Sequence, residues 1–410
     1  MTESVVIAGA GLAGACAALA LARTHRVTVL DDGRPGASHA AAGLVNPFLG
    51  RKAKRAWRAT EALAEVARLG ATAGAPVELG GLLRPARDEA QAAVFRERAA
   101  EHPDALDWLP AEASRERFAE VRAPHGALWV REGGHVEIPA LVRAVLRAAE
   151  ADGVEVIRAR LEGWTSASAA PGQPTRGLRT QILPVVSSRA FARDLNADTR
   201  AVRDGAGRAE NVLRSFASAQ DDTAQEDAPD RSAVEIETDR LLLCTGDGTR
   251  ALAPGLPLHR VKGQTVRLGL ASDVVIPPVS GGTYVVPLGS REVVVGATFE
   301  HDFETLAPTP EATERLRQRA AEIVPALAEA EVLEARAGVR LTVPASVRPG
   351  RLPLVGPIAP GVWVFAGLGA KGLLTAPLLA RHLPAWWDAP EAIWPDIATG
   401  PLRHLTRPPG

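Results

Sequence analysis

The sequence predicts an α/β protein in which a domain with a parallel sheet is joined to a smaller α+β domain with a mostly antiparallel sheet. Three observations lead to this prediction. A strand, a helix and a second strand follow one another in residues 5–30. The same order recurs in residues 127–164, as expected where a chain adds another strand to a parallel sheet. Between residues 261 and 298, alternating apolar residues and a hairpin signal at Gly289 and Ser290 indicate antiparallel strands instead.

Length and composition fit two globular cores. The chain has 410 residues, 46% of them hydrophobic, and a formal net charge of −1. The chain has no strong excess of basic over acidic residues, so general nucleic-acid binding is not predicted. It has no apolar run of about 18 residues, so a membrane span is not predicted either. The two cysteines form no metal-binding pattern. Because the first strand begins within a few residues of Met1, we expect no signal peptide and a cytoplasmic protein.

The first strand ends in a glycine-rich turn with G-x-G-x-x-G spacing. Gly9 permits the tight turn, Gly11 lets the backbone approach a pyrophosphate, and Gly14 lets the helix pack closely on the strand. An acid at the end of the second strand can accept hydrogen bonds from a ribose, which favours FAD or NAD over NADP. This pattern predicts a Rossmann-like dinucleotide site, with an unliganded turn as the alternative. The predicted cofactor-binding residues are Gly9, Gly11, Leu12, Ala13, Gly14, Asp31 and Asp32, with Asp31 the preferred ribose acid.

A small, glycine-rich loop and a basic run come next. Residues 33–50 leave the second strand beside the expected ribose, so they can run towards the far end of a long cofactor. Residues 51–58 carry Lys and Arg around Trp57. This basic run has three interpretations: the solvated start of the next helix, cations that face an anionic substrate or a flavin, or a contact with RNA.

Regular elements then alternate as far as residue 164. They are predicted as a helix over 59–80, a strand over 82–85, mostly helix over 86–120 with breaks at Pro103 and Pro110, a strand ending at Gly133, a helix opened by Pro139, and a strand over 154–157. In residues 165–232 apolar periodicity is largely lost and acidic and small polar residues cluster. We expect this segment to be an exposed, poorly ordered insertion without chemistry.

The second half begins with a buried strand over 241–244. Gly246 follows it and is a predicted cofactor contact, because a small residue there lets the backbone approach a ligand. After the antiparallel segment come a helix over 310–330, broken near Pro325, and a strand over 363–368.

A second glycine-rich turn opens the last helix. A helix N-terminus of this kind suits a group that gathers negative charge, such as the ring of a reduced flavin. Two such turns near the two ends of the chain therefore favour a long cofactor held at both ends, FAD rather than NAD, over a simple glycine-rich helix start. The predicted contacts here are Gly367, Gly369, Ala370, Lys371, Gly372 and Leu373.

These motifs together resemble the FAD-dependent amine and amino-acid oxidases of the D-amino-acid oxidase family, which includes glycine oxidase and sarcosine oxidase. The resemblance covers most of the chain except residues 165–232. The motifs that carry it are GAGLAG, AAGLVNP, GGHVEIPAL, LLLCTGDGT, VKGQ, YVVPLGSREVVVGAT, AGVR, RLPLVG and GLGAKGLLTAP. Two of them, AAGLVNP and GLGAKGLLTAP, are especially similar to the oxidase domain of a bifunctional tRNA-modifying enzyme.

The resemblance implies specific roles for a few residues. Arg340 of AGVR would bind a substrate carboxylate, and Tyr284, the only tyrosine, would assist it as a second catalytic residue. Both also have structural readings, an interface ion pair for Arg340 and a packing aromatic for Tyr284. The loop residues Ala42, Gly43 and Leu44 would contact the flavin. Because no cysteine stands where sarcosine oxidase tethers its flavin, FAD is expected to be noncovalent.

The resemblance also implies domain limits. Residues 1–80, 130–258 and 335–410 would form a discontinuous FAD-binding domain, and residues 81–129 and 259–334 the substrate domain.

The implied activity is oxidation of the C–N bond of an amino acid or N-substituted glycine by hydride transfer to the flavin, without a protein base. Its partners would be a small amino acid or amine and molecular oxygen or another electron acceptor, with no membrane. Two alternatives stay open. One is removal of a carboxymethyl group from a modified tRNA uridine, with the basic run binding RNA, and the other is a flavin-binding redox sensor without turnover.

Overall fold

The computed structural model describes residues 2–166, 178–184 and 233–400. Helices and strands are numbered in chain order within these ranges. The helices are α1 Leu12–Leu21, α2 Ala59–Thr72, α3 Glu89–Glu101, α4 Ala111–Arg117, α5 Ile138–Ala151, α6 Thr249–Leu252, α7 Pro310–Ile323 and α8 Gly372–Asp388. The strands of the first half are β1 Ser4–Ala8, β2 Arg26–Leu30, β3 Leu44–Val45, β4 Phe48–Leu49, β5 Lys54–Arg55, β6 Leu82–Pro85, β7 Leu106–Leu109, β8 Ala127–Val130, β9 Gly134–His135, β10 Glu155–Ile157 and β11 Ala159–Ser166. Those of the second half are β12 Leu178–Pro184, β13 Val234–Thr238, β14 Arg240–Leu243, β15 His259–Gly269, β16 Val279–Ser280, β17 Tyr284–Pro287, β18 Glu292–Gly296, β19 Glu331–Thr342, β20 Leu354–Ala359 and β21 Val362–Ala366.

A six-stranded sheet contains the first and the last strand of the described chain. Its order is β10-β2-β1-β14-β21-β20, and every neighbouring pair is parallel except β20 with β21. Successive residues of β1 point to opposite faces, so Val5 and Ile7 pack against α1, α5 and α8, whereas Val6 and Ala8 pack towards the three-stranded sheet β11-β12-β13. This sheet is buried on both faces, as expected for parallel strands.

The second large sheet of the fold has eight strands and is mostly antiparallel. Its order is β19-β15-β18-β17-β16-β6-β8-β7, and only β16 and β6 pair in parallel. One apolar cluster places it against α7, and another places it against α3. The fold is therefore the predicted α/β architecture with one mostly parallel and one mostly antiparallel sheet. The predicted boundary at residue 335 lies inside β19, which belongs to the antiparallel sheet throughout.

Several element predictions were wrong in detail. The basic run does not start a helix, because Lys54–Arg55 pairs with Phe48–Leu49 in a hairpin and α2 begins only at Ala59. The segment over 86–120 contains the edge strand β7 between its two helices. The predicted helix over 59–80 ends at Thr72.

The predicted insertion over 165–232 is partly regular. Residues 178–184 form β12, the middle strand of the three-stranded sheet, with Leu178 and Ile182 buried. The expectation of poor order is wrong for this strand, because its apolar side chains cover the second face of the six-stranded sheet. The other residues of 167–232 lie outside the described ranges. No described helix has the length and apolarity needed to cross a membrane.

Candidate active site

The first glycine-rich turn joins β1 to α1 with almost no space for side chains. Gly9 has a φ of +104°, and a Cβ there would lie 2.5 Å from the carbonyl oxygen of Cys244. A Cβ on Gly14 would lie 1.8 Å from the carbonyl oxygen of Gly9. Leu12 and Ala13 follow in the first turn of α1 and are buried. The turn therefore presents backbone rather than side chains at a helix N-terminus, as a pyrophosphate requires.

Gly11 stands at the N-cap of α1 and is less crowded. A Cβ there would meet only the hydroxyl oxygen of Ser38, at 3.3 Å, and that oxygen accepts a hydrogen bond of 3.0 Å from the Leu12 N–H. Ser38 belongs to the loop that leaves β2, so this loop already touches the start of the helix. This contact was not foreseen from the sequence.

Asp31 and Asp32 follow directly after β2. Asp31 Oδ1 accepts a hydrogen bond of 2.9 Å from Gly33 N–H, and its Oδ2 forms an ion pair with Arg158. Asp32 Oδ1 accepts a hydrogen bond of 3.0 Å from the Arg34 N–H. Each Asp31 oxygen has a second lone pair, so the carboxylate can still accept hydrogen bonds from ribose hydroxyls. Arg158 lies 127 positions away in the chain, and no local pattern pointed to it.

The loop after Asp32 runs to the antiparallel sheet, as its position in the sequence suggested. A Cβ on Gly338 of β19 would lie 2.8 Å from the Gly36 carbonyl oxygen, and Thr265 of β15 donates a 3.0 Å hydrogen bond to the Ala40 carbonyl. Ala42 is buried in a small cluster that also contains Tyr284. The loop thus connects the nucleotide-type turn to the sheet that carries the predicted catalytic residues.

Gly43 fixes the end of this loop. Its φ is +81°, and a Cβ would lie 1.6 Å from the Val136 carbonyl oxygen, so only glycine fits here. The next residue, Leu44, pairs with His135 in a two-stranded ladder and packs in the same cluster as Ala42. This anchoring determines where the loop reaches the antiparallel sheet.

Arg340 lies on β19 opposite Val261 of β15. Its Nη2 donates a 2.8 Å hydrogen bond to the Thr298 carbonyl, and its Cζ lies 4.3 Å from the centre of the Phe299 ring. On the other side, a Cβ on Gly263 would come within 2.7 Å of Nη2, so the guanidinium lies against bare backbone. Burial lowers the pKa of Arg340, and the nearby Tyr284 opposes that shift.

No carboxylate within the described ranges pairs with Arg340. Its Nη2 bond to Thr298 is also the one hydrogen bond found for this guanidinium there. Since a guanidinium has five N–H donors, most of them remain for a ligand. The interface ion-pair interpretation of Arg340 has no partner among these residues.

Tyr284 begins β17 and faces the same region. It pairs with Gly296 of β18, where a Cβ would lie 3.0 Å from the tyrosine hydroxyl. Burial raises the pKa of Tyr284 to about 12, and the positive charge of Arg340 partly opposes this. Tyr284 and Arg340 are therefore electrostatic neighbours, although they lie on different strands of the sheet.

The second glycine-rich turn lies beside the end of β19. Leu368 forms a bridge with Thr342, two positions after Arg340, and a Cβ on Gly369 would lie 3.5 Å from the Thr342 hydroxyl. Gly367 and Gly369 have positive φ, and a 3₁₀ turn over Gly369–Lys371, which includes Ala370, leads into α8 at Gly372. The predicted flavin end and the predicted carboxylate site thus lie at one place.

Two other predicted contacts are close to these elements. Lys371 donates to the Gly350 carbonyl, and burial, aided by Arg351, lowers its pKa. Gly246 has a φ of +53° in a 3₁₀ turn after β14. Leu373 faces the apolar core instead.

The basic run is largely engaged with surface carboxylates. Arg55 pairs with Glu132 at 3.1 Å, and Arg58 pairs with Glu61 at 2.7 Å while its Cζ lies 3.8 Å from the centre of the Trp394 ring. Lys52 and Lys54 are exposed. The arginines therefore have structural partners, and the lysines face solvent.

These residues fit FAD. The crowded backbone around Gly9 and Gly14 leaves a cradle without side chains at the start of α1, where a pyrophosphate would bind, and Asp31 would hold the ribose. The loop over 33–43 leads from there to the second turn and Arg340, so the ring would lie between them. Cys16 and Cys244 are both buried.

Comparison with known proteins gives relatives along the whole chain. Glycine oxidase from Pseudomonas aeruginosa is 33% identical over 42% of this chain and 48% of its own length. The tRNA 5-methylaminomethyl-2-thiouridine biosynthesis bifunctional protein of the same species is 27% identical over 94% of this chain and 56% of its own length. The chain thus spans about half the length of these curated relatives. An uncharacterized oxidoreductase from Bacillus subtilis is 27% identical over 93% of this chain.

Solved structures share the fold. Glycine oxidase from Geobacillus kaustophilus superposes with a TM-score of 0.71 at 22% identity, covering 100% of both chains. Iminodiacetate oxidase from Chelativorans sp. BNC1 gives a TM-score of 0.66 at 24% identity over 93% of this chain and 94% of that one. The model of the FAD dependent oxidoreductase family, abbreviated DAO, matches residues 4–386. The chain therefore belongs to the FAD dependent oxidoreductase family, and FAD is its cofactor.

Proposed function

We propose that the protein oxidises the C–N bond of an amino acid or an N-substituted glycine. One observation carries the proposal: the Arg340 guanidinium has no carboxylate partner in the described ranges, and Arg340 stands two residues before Thr342, which bridges the second glycine-rich turn at Leu368. A substrate carboxylate would supply the missing partner, and a bidentate pair would fix the neighbouring carbon in one orientation. FAD, when bound, would accept the hydride from that carbon.

The neighbours of Arg340 suit this task. Thr298 and Gly263 restrict the guanidinium on two sides, so little side-chain freedom is lost when a carboxylate binds. Tyr284 is a neutral phenol at physiological pH, as tyrosines ordinarily are, and its pKa of about 12 keeps it able to donate a hydrogen bond at alkaline pH as well. The six-stranded sheet would hold FAD, and the antiparallel sheet would carry the substrate.

Similarity supports the same substrate class. Two of the similar proteins carry the names glycine oxidase and iminodiacetate oxidase, and the compounds in both names are N-bearing acetates. The identity of the substrate within this class is open to direct assay.

The test is an anaerobic titration followed by visible absorbance. The flavin band should bleach with at least one of glycine, sarcosine, iminodiacetate or a D-amino acid, and should return on admission of air if oxygen is the acceptor. Return only with an artificial acceptor would identify a dehydrogenase. A band that none of these compounds bleaches would refute the proposal and favour a redox sensor or a larger substrate.

Arg340→Met tests the carboxylate assignment. Loss of a charge-assisted bidentate pair should lower kcat/KM by about 100-fold or more, while FAD stays bound. Arg336→Met is the matched control, since Arg336 lies on the same strand but pairs with Glu334 at 2.6 Å. Equal activity of Arg340→Met and the control would show that Arg340 does not bind the substrate.

A second candidate function is oxidation of a modified tRNA uridine. It is favoured by the similarity over 94% of this chain to the tRNA biosynthesis bifunctional protein, and by the exposed Lys52 and Lys54. Binding of tRNA should then weaken steeply with salt, and Lys52→Ala/Lys54→Ala should reduce the salt dependence. Absent or salt-insensitive binding would exclude this candidate.

A further inference from the structure

Lys262 is a fully buried cation on β15, the strand that pairs with β19, which carries Arg340. Its side chain is 1% exposed, and it lies on β15, which pairs with β19 along its whole length. Its Nζ donates hydrogen bonds to the carbonyls of Thr305 at 2.9 Å and Ala307 at 2.8 Å, and Glu300 lies 3.8 Å away. The ammonium therefore ties β15 to the chain that follows β18.

Gln264 reinforces the same tie. Its Nε2 donates to Glu300 at 2.8 Å, and its Oε1 accepts from the Thr309 N–H at 2.7 Å. Glu300 also accepts a hydrogen bond from the Thr298 hydroxyl. Lys262, Gln264 and Glu300 thus form one polar network that fastens residues 298–309, here called the clasp segment.

The clasp segment holds Arg340 at two successive residues. The Thr298 carbonyl accepts the Nη2 hydrogen bond, and the Phe299 ring covers the guanidinium. Phe299 is 65% exposed, so its position over Arg340 is not enforced by a surrounding core. Backbone hydrogen bonds between β15 and residues 298–300 and the polar network together hold the segment that supplies these two contacts.

A buried ammonium that holds a loop carries a large desolvation free energy. Well-packed apolar residues of similar volume usually stabilise a fold as well as a buried ion pair or better, and the gain from buried polar groups is one specific arrangement. In this protein the Lys262 ammonium binds carbonyls near the end of residues 298–309, the segment that begins with the carbonyl that accepts from Arg340.

We propose that Lys262 is a positioning residue, which acts through Glu300 and Thr298 to hold Arg340 in the orientation that receives a carboxylate. The inference rests on the proposed function, because it assigns the network to the carboxylate end of the substrate. It predicts that Lys262 controls affinity for the carboxylate without touching it.

The test measures binding of acetate, a carboxylate that lacks the amine, through the change in flavin absorbance of the holoenzyme. Lys262→Met should weaken acetate binding about tenfold, while binding of the uncharged isostere acetamide changes less than twofold. FAD content should not change. Arg267→Met is the control, because Arg267 lies on the same strand and forms a half-buried ion pair with Glu292 of β18.

A double-mutant cycle separates positioning from a general structural role. Once Arg340 is replaced by Met, the further change Lys262→Met should alter acetate affinity less than twofold, because both act through one guanidinium. If Lys262→Met does not fold, Thr298→Val replaces it in the cycle, since it removes the hydroxyl that donates to Glu300 and accepts from the Gln264 N–H but keeps the carbonyl that binds Arg340.

The outcomes are distinguishable. Wild-type acetate affinity in Lys262→Met, or effects that multiply in the double variant, would overturn the positioning role and leave the proposed function standing. Wild-type affinity in Arg340→Met would overturn the proposed function and this inference together.

Discussion

Tyr284 offers a direct optical test of the site, because it is the only tyrosine of the chain. Any tyrosinate signal in the near ultraviolet therefore reports this one side chain. Burial raises its pKa from the usual value near 10 to about 12. Two pH units correspond to roughly 3 kcal/mol in favour of the neutral phenol, an upper value because Tyr284 keeps some solvent contact.

The assay is a pH difference titration of absorbance, with Tyr284→Phe as the blank that subtracts the flavin and the tryptophans. At about pH 10.5 an ordinary tyrosine would be mostly ionised, but folded Tyr284 should still be protonated. In denaturant it should titrate normally. Arg340→Met should raise the folded pKa further, because the positive charge of Arg340 lowers it.

The same shift predicts a loss of stability at high pH. The unfolded protein releases the phenol proton first, so the stabilising contribution is complete below about pH 10 and disappears as the pH rises towards 12. Burial raises the pKa of the Cys16 thiol to about 12 and so adds a loss of the same sign from about pH 9 upward. If folded Tyr284 ionised near pH 10, or if its pKa did not change in Arg340→Met, the placement of these two groups would be refuted.

Three further predictions test other parts of the structure. Gly14→Ala should cost about 3 kcal/mol or more in urea unfolding, because its Cβ meets the Gly9 carbonyl at 1.8 Å, whereas Gly11→Ala should keep the fold and lose only FAD affinity. Asp31→Asn should weaken FAD binding about tenfold in a fluorescence titration of the apoprotein, since neutral hydrogen bonds are weaker than charged ones; unchanged affinity would mean that Asp31 does not hold the ribose. Ile182→Ala should cost about 2–5 kcal/mol if strand β12 is part of the core, and a loss below about 0.5 kcal/mol would contradict its burial.

Local patterns predicted the parallel sheet well. The glycine spacing after β1, the small-residue helix and the acid after β2 each have a local physical cause, and the structure confirms the strand–helix–strand unit. The edge strand β7 was missed because Asp107 interrupts its apolar pattern and prolines flank it. The hairpin of β4 and β5 was missed because two-residue strands leave no periodicity.

The site was predictable only in part, because its contacts join distant residues. Arg340 and Tyr284 were named from short motifs, and the structure brings them together. The partners that hold Arg340, Thr298 and Phe299, lie about forty positions earlier in the chain and follow from the pairing of β15, β18 and β19. Nothing in the spacing of Lys262 predicted that its ammonium would be buried beneath this segment.

The strand order of the six-stranded sheet has a consequence for synthesis of the protein. Strand β1 leaves the ribosome first, yet its neighbour β14 is made much later, and β21, which completes that side, later still. At synthesis rates of about 5–20 residues per second, the wait for β21 is roughly 20–70 s. During this time the apolar faces of β1 and β2 lack their final cover, so we expect yield in cells to depend on chaperones that bind the nascent N-terminus.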